Sequence, residues 1–383
     1  MVGRIVTIGV RPSNIPEVGQ GVQEMVNPKV YGRFADEGCS KDVAYIVLHP
    51  AVNFWNHYLV EPLVERRSAI LALNSRAVNN DSTLLMERVI QDVGAGVRFL
   101  REEGYKKVVL IANSAGGPVM SLYQSQAEKL TITSTPDGDP FDIVPDDLPR
   151  ADGIAIVGGH LGRAQKFRVT LDPSILTEAD AFGTDPELDM FNPDNGPPYK
   201  PEWLARYRAA QKARHERITD WALARLRELR NKRGNMPARD MGFVIYRTYA
   251  NPATLDGTID PNDRPATGTI YGNAQAVNFS AAMYGRFTTL TSYLSQWSPL
   301  TVADGPKRIA ETSVPVINVR FSADEGTFPT ETAIYSKATA GRCEDYTLQG
   351  ARHFPFKQKD GKRIVADLAD TLTDWTNRRV LNG

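Results

Sequence analysis

An α/β architecture, with a mostly parallel central sheet flanked by helices, follows from three features of the sequence. Residues 43–48, 69–73, 108–111 and 153–157 are apolar runs without polar alternation, the pattern of strands covered on both faces. Between them lie stretches with helical spacing, clearest over 83–103, where Leu85, Val89, Val93, Val97 and Leu100 recur and Gly104 ends the pattern. Strand and helix alternate again near the end, with strands over 314–321 and 344–348 and a helix over 362–379. This alternation predicts parallel strands joined by crossover helices.

Taken in order, 4–8 and 30–34 read as antiparallel edge strands leading into the sheet. The buried strands then end in turns at His49-Pro50-Ala51, Asn74-Ser75-Arg76 and Gly158-Gly159-His160. From Leu161 to Lys307 the alternation stops, and the segment is too long for a loop, so a mainly helical cap over the carboxyl edge of the sheet is expected after the sixth core strand. Within it, 202–233 reads as one or two helices with Ile218, Ala222, Leu226 and Leu229 along one side. The chain thus divides into a first core segment (1–160), a cap (161–307) and a second core segment (308–383).

The 383 residues are long for one domain and suit a single core carrying a large insertion. Lysine plus arginine balance aspartate plus glutamate at 45 each, so charge gives no reason to expect nucleic acid or an anionic membrane as partner. Two cysteines, Cys39 and Cys343, do not make a disulfide framework and fit a reducing compartment. The start of the chain has no signal-peptide pattern, and no run of about 18 apolar residues follows. The expectation is a soluble cytoplasmic protein whose oligomeric state, homo-oligomer included, is open.

Residues 106–124, KKVVLIANSAGGPVMSLYQ, concentrate the chemistry. A buried strand leads into Ser114, small residues follow, and Pro118 falls in the first turn of a helix, where its missing N–H matters little. A helix start offers unpaired N–H groups and the positive end of a dipole, both favourable to a developing oxyanion. Later strand ends carry an acid, at Ser322-Ala323-Asp324-Glu325-Gly326, and a histidine, at Gly350-Ala351-Arg352-His353. In a parallel sheet the carboxyl ends share one edge, so residues distant in sequence converge there. Of the five histidines (49, 57, 160, 215 and 353), only His353 follows both the serine and the acid. A serine hydroxyl needs an imidazole to take its proton, and the imidazole needs a carboxylate to hold its tautomer. Ser114 is therefore assigned as nucleophile, His353 as general base and acid, and Asp324 as orienting carboxylate, with Glu325 the alternative.

Ala112-Asn113-Ser114-Ala115-Gly116 resembles the G-x-S-x-G nucleophile elbow of the α/β-hydrolase superfamily, with alanine for the first glycine, and the order serine, acid, histidine is that superfamily's. The resemblance covers 1–160 and 308–383, and no family within the superfamily is singled out. It implies an α/β-hydrolase fold and an oxyanion hole made by the N–H of Ala115 and a second N–H after the strand that carries a His-Gly pair. Here that pair is His49-Pro50, and proline has no N–H, so Ala51 becomes the expected donor and His49 a brace of the loop.

Phe54, Trp55, His57 and Tyr58, together with Trp297 in the cap, crowd the expected mouth and suit either a pocket for a hydrophobic or ring-bearing small molecule or cap-to-core packing. His49 and His160, at strand ends on the same edge, join Phe54, Trp55 and Trp297 as candidate pocket residues. From Arg206 to Arg233 ten basic residues face three acidic ones, which reads as a solvated helix face or as attraction for an anionic substrate. Walker, CxxC, HExxH and dinucleotide patterns do not occur, so no metal or organic cofactor is expected. The function these observations favour is hydrolysis of a carboxylic ester or lactone through an acyl-enzyme. Rivals are cleavage of a carbon–carbon bond in a diketone or dioxo acid, thioester hydrolysis, and ligand binding without turnover.

Overall fold

A computed structural model describes residues 2–12, 27–232, 240–339 and 341–383. Met1, the first residue of the stretch read as lacking a signal peptide, and Arg233, the last of the basic run, lie outside the described residues. Eight strands form the central sheet: β1 Arg4–Gly9, β2 Lys29–Ala35, β3 Val43–His49, β4 Ala69–Asn74, β5 Lys107–Asn113, β6 Gly153–Val157, and, beyond the insertion, β11 Val316–Phe321 and β12 Cys343–Leu348, in the order β1-β2-β4-β3-β5-β6-β11-β12. Four further strands, β7 Ile175–Thr177, β8 Asp180–Thr184, β9 Gly242–Val244 and β10 Phe287–Thr289, form two small antiparallel pairs within the insertion. In the main sheet β1 and β2 run antiparallel to their neighbours, and every pairing from β4 to β12 is parallel.

Burial on both faces explains why the central strands lack polar alternation. In β3, Ala44, Ile46 and Leu48 face one layer while Val43, Tyr45 and Val47 face the other. The same split divides β5 into Val108, Leu110 and Ala112 against Val109 and Ile111. The first layer holds α2 Met86–Glu102 and α3 Gly116–Glu128, with Val89, Val93, Val97 and Leu100 of α2 turned to the sheet. The second holds α1 Val60–Glu65 and α10 Gly361–Thr376, the latter through Ile364, Leu368, Leu372 and Trp375.

Between β6 and β11 lie α4 Arg163–Thr170, the β7–β8 pair, α5 Pro201–Lys232, the β9–β10 pair, α6 Ala274–Phe279, α7 Leu290–Gln296 and α8 Gly305–Ala310. This segment builds its own apolar centre from Phe167 and Leu171, Ile218, Ala222 and Leu226 of α5, and Tyr293, Leu294 and Trp297. Residue 308, the expected start of the second core segment, falls within α8, whose Ile309 packs in the first helix layer. A last helix, α9 Pro329–Ala338, sits between β11 and β12 in sequence.

The basic run on α5 is a solvated face only in part: Arg206, Lys212, Arg217 and Arg227 are exposed, whereas several arginines turn inward. Arg214, 1% exposed, makes two bonds to Glu178 and another to the carbonyl of Asp172. Arg208 reaches the carbonyl of Val169 and the side chain of Asn251, and Arg230 pairs with Asp137 and Asp139. These guanidiniums bind backbone carbonyls of the cap and carboxylates from the cap and from the first core segment. Among the described residues no helix is long and apolar enough to cross a membrane.

Candidate active site

β5 turns into α3 at Ser114, which has φ of 53°, a left-handed conformation that costs a non-glycine residue on the order of 1–3 kcal/mol and persists only where its surroundings impose it. They do so here. The N–H of Ser114 donates to the carbonyl of Val157, its own carbonyl accepts from Gly117 and His160, and Asn113 Nδ2 donates to the same Val157 oxygen. The preference for small residues after the serine is equally local: a Cβ on Gly116 would lie 2.8 Å from the carbonyl oxygen of Leu48. β3 therefore passes against the elbow. Ala115 caps α3, so the N–H groups at this end have no carbonyl within the helix to bond.

Ser114 Oγ lies 3.1 Å from His353 Nε2, and His353 Nδ1 lies 3.0 and 3.1 Å from the two oxygens of Asp324. Asp324 is 1% exposed, and its Oδ1 also accepts the N–H groups of Gly326 and Thr327, at 2.6 and 2.9 Å. A carboxylate so engaged accepts from Nδ1–H, which leaves Nε2 free to accept from the serine. Glu325, the alternative acid, turns away to Arg352 and the backbone N–H of His353. Burial disfavours a charged His353 ring, but the Asp324 charge and hydrogen bond outweigh it and leave the imidazole above its ordinary 6.5.

Residues outside the sequence assignments hold the constellation in place. Gly326 packs flat against the imidazole, where a Cβ would stand 2.9 Å from Nδ1. From the insertion, Asn262 donates to the carbonyl of Asp324 and Lys166 to that of Gly326. His57 accepts the N–H of Leu59 at Nδ1, so its Nε2–H donates to Asn113 Oδ1 and steadies the residue before the nucleophile. Burial pushes His57 down to about 4, which keeps it neutral. Nothing in a single sequence marks Asn262 or Lys166 as neighbours of the acid.

Ser114 and His353 open into a cavity of about 850 Å³, lined by rings of Phe54, Tyr58, Tyr271, Phe354 and Phe356. His49 and Phe54 lie where expected. Phe354 and Phe356 were not among the expected pocket residues, although their place one and three residues after His353 is a signal that could have found them, whereas Tyr271 comes from an irregular stretch of the insertion with no periodicity to place it. Three expectations for the pocket are corrected. Trp297 is buried in the cap's own centre, stacked on Tyr284 at 5.4 Å with Arg163 over its ring, because the cap needs large apolar surface to close on itself. Trp55 points to the sheet edge, its Nε1 donating to the carbonyl of Tyr31, and is not among the lining residues. His160 sits behind the elbow, held through its backbone by Ser114 and Tyr335, and burial and nearby cations keep its ring neutral.

The Ala51 expectation is corrected too: its N–H, and that of Val52, donate to Nδ1 of His49, at 3.1 and 2.9 Å. The peptide that would serve the oxyanion turns back on the histidine before it. Cys39 and Cys343 are separate thiols. Among the described residues no three His, Cys, Asp or Glu side chains are grouped to hold a metal ion.

With strand order, elbow and relay in view, the chain has the α/β-hydrolase fold. It is similar to the α/β hydrolase GrgF from Penicillium sp. sh18, with a TM-score of 0.51 at 11% identity over 98% of this chain and 99% of that one. It is also similar to DcsB, solved in complex with its substrate analogue, with a TM-score of 0.50 at 12% identity over 98% and 99% of the two chains. A hypothetical protein from Pseudomonas aeruginosa aligns at a TM-score of 0.50 and 13% identity over 96% of this chain and 92% of its own. No family model and no curated protein sequence matches the chain.

Proposed function

We propose that this protein is a serine hydrolase that cleaves a carboxylic ester or lactone through an acyl-enzyme. One observation carries the reading: the Ser114–His353–Asp324 relay, bonded end to end, opens into an apolar cavity. His353 Nε2 takes the Oγ proton as Ser114 attacks the substrate carbonyl, and Asp324 stabilises the imidazolium that forms. The Ala115 N–H, at the positive end of α3, faces the growing oxyanion. The imidazolium protonates the leaving alcohol, the acyl group stays on Ser114, and a water activated by the same ring releases the acid.

The rings around the cavity support a hydrophobic or ring-bearing small-molecule substrate. Burying one such ring is worth about 2 kcal/mol, or on the order of 30-fold in kcat/KM. A panel of 4-nitrophenyl acetate, butyrate and phenylacetate, a γ-lactone, an acyl thioester and a 1,3-diketone tests the assignment. Ester or lactone turnover is expected, with phenylacetate at least tenfold above acetate. Turnover of the diketone alone would make the protein a carbon–carbon hydrolase, and turnover of the thioester alone a thioesterase.

A further inference from the structure

If the relay acts as proposed, the oxyanion it creates needs a second donor, and the loop after β3 does not supply the expected one. Pro50 has no N–H. The N–H groups of Ala51 and Val52 donate to His49 Nδ1, that of Phe54 to Asn74 Oδ1, and that of Trp55 to Asn53 Oδ1, which leaves the N–H groups of Asn53 and Asn56, two cavity-lining residues, as the backbone alternatives to the ring. What the loop does with two of these peptides is informative. A ring nitrogen that accepts two backbone N–H groups carries no proton, so the proton of the neutral ring is on Nε2. Protonation of Nδ1 as well is opposed by burial and by Arg163 and His353 nearby.

The position of the ring completes the argument. β3 pairs in register with β5 up to Val47 and Ile111, and the Leu48 carbonyl lies against Gly116, which places His49 beside the elbow. His49 lines the same cavity as Ser114 and His353. With Nδ1 turned into its own loop, Nε2–H is the donor the ring has left. We propose that His49, resting on the hydrolase reading above, is a catalytic residue: its Nε2–H joins the Ala115 N–H in binding the oxyanion, replacing with a side chain the peptide donor that Pro50 removes. The loop that lost one N–H uses two others to fix the tautomer of its substitute.

The test measures His49→Ala and His49→Gln on 4-nitrophenyl butyrate, with binding of an aryl trifluoromethyl ketone, which a serine captures as an anionic hemiketal, and of the uncharged amide analogue butyranilide. His49→Ala is expected to lower kcat about 10²- to 10³-fold with KM within threefold of wild type. Ketone affinity should fall in parallel and butyranilide affinity stay unchanged. His49→Gln, which keeps a donor N–H, should recover at least tenfold of the lost kcat, and it decides the matter should the alanine variant not fold. A kcat within threefold of wild type in both variants, or equal losses for ketone and butyranilide, would overturn the assignment while leaving the serine mechanism intact. Wild-type protein inert toward both the ester and a fluorophosphonate would instead overturn the hydrolase reading, and the assignment with it.

Discussion

Ser114→Ala is expected to lower kcat on the best ester by roughly 10⁴- to 10⁶-fold, with KM and melting temperature little changed. The size follows from the geometry: His353 Nε2 reaches this hydroxyl, and without it the base has no nucleophile bonded to it. The fold should tolerate the change because among the described residues the hydroxyl bonds only the imidazole, while the elbow is set by backbone bonds to Val157, Gly117 and His160. Ser114→Gly separates the two roles further. It removes the nucleophile and also relieves the left-handed strain at φ 53°, so it should be as inactive as the alanine variant and about 1 kcal/mol more stable. Kinetics and thermal unfolding of both variants check this. A loss smaller than 100-fold in either would mean that another group attacks the substrate.

Asp324→Asn is the second large effect, with an expected loss in kcat of roughly 10⁴-fold. The asparagine carbonyl would be claimed by the N–H groups of Gly326 and Thr327, turning its NH₂ toward His353 Nδ1. That selects the tautomer with a proton on Nε2, which cannot accept from Ser114. The pH dependence has a definite sign. Wild-type His353 must be neutral to act as base, and Asp324 holds it above 6.5, so kcat/KM should rise with pH through a half-point above 6.5. The other four histidines lie below their ordinary value through burial, so among the histidines this inflection belongs to His353; Glu87, which burial raises to about 7, is bonded to Ser295 and does not line the cavity. With the Asp324 charge gone, burial and Lys166 outweigh the smaller Glu325 charge, and the residual activity should have its half-point lower. A half-point that does not move between wild type and variant would show that the titrating group is elsewhere.

The buried strands and the relay were legible because each rests on a short-range rule. Uninterrupted apolar runs such as 43–48 and 108–111 mark strands covered on both faces, and in a parallel sheet chain order alone brings Ser114, Asp324 and His353 to one edge. What was not legible depends on contacts without period. The direction of the Ala51 N–H follows from where the His49 ring turns, and that Trp297 faces inward follows from how the cap closes its own centre. The arginines of α5 look like a solvated face in sequence because their acceptors, Glu178, Asp137 and the Val169 carbonyl, come from segments that no pattern assigns to that helix.

Whether one activated serine performs covalent chemistry is answered most directly by reacting the protein with a fluorophosphonate and locating the adduct by peptide mass spectrometry. A single adduct on Ser114, absent in Ser114→Ala and formed at least 100-fold more slowly in Asp324→Asn, is the predicted result. An adduct on another residue, or labelling that persists when Ser114 is replaced, would contradict it.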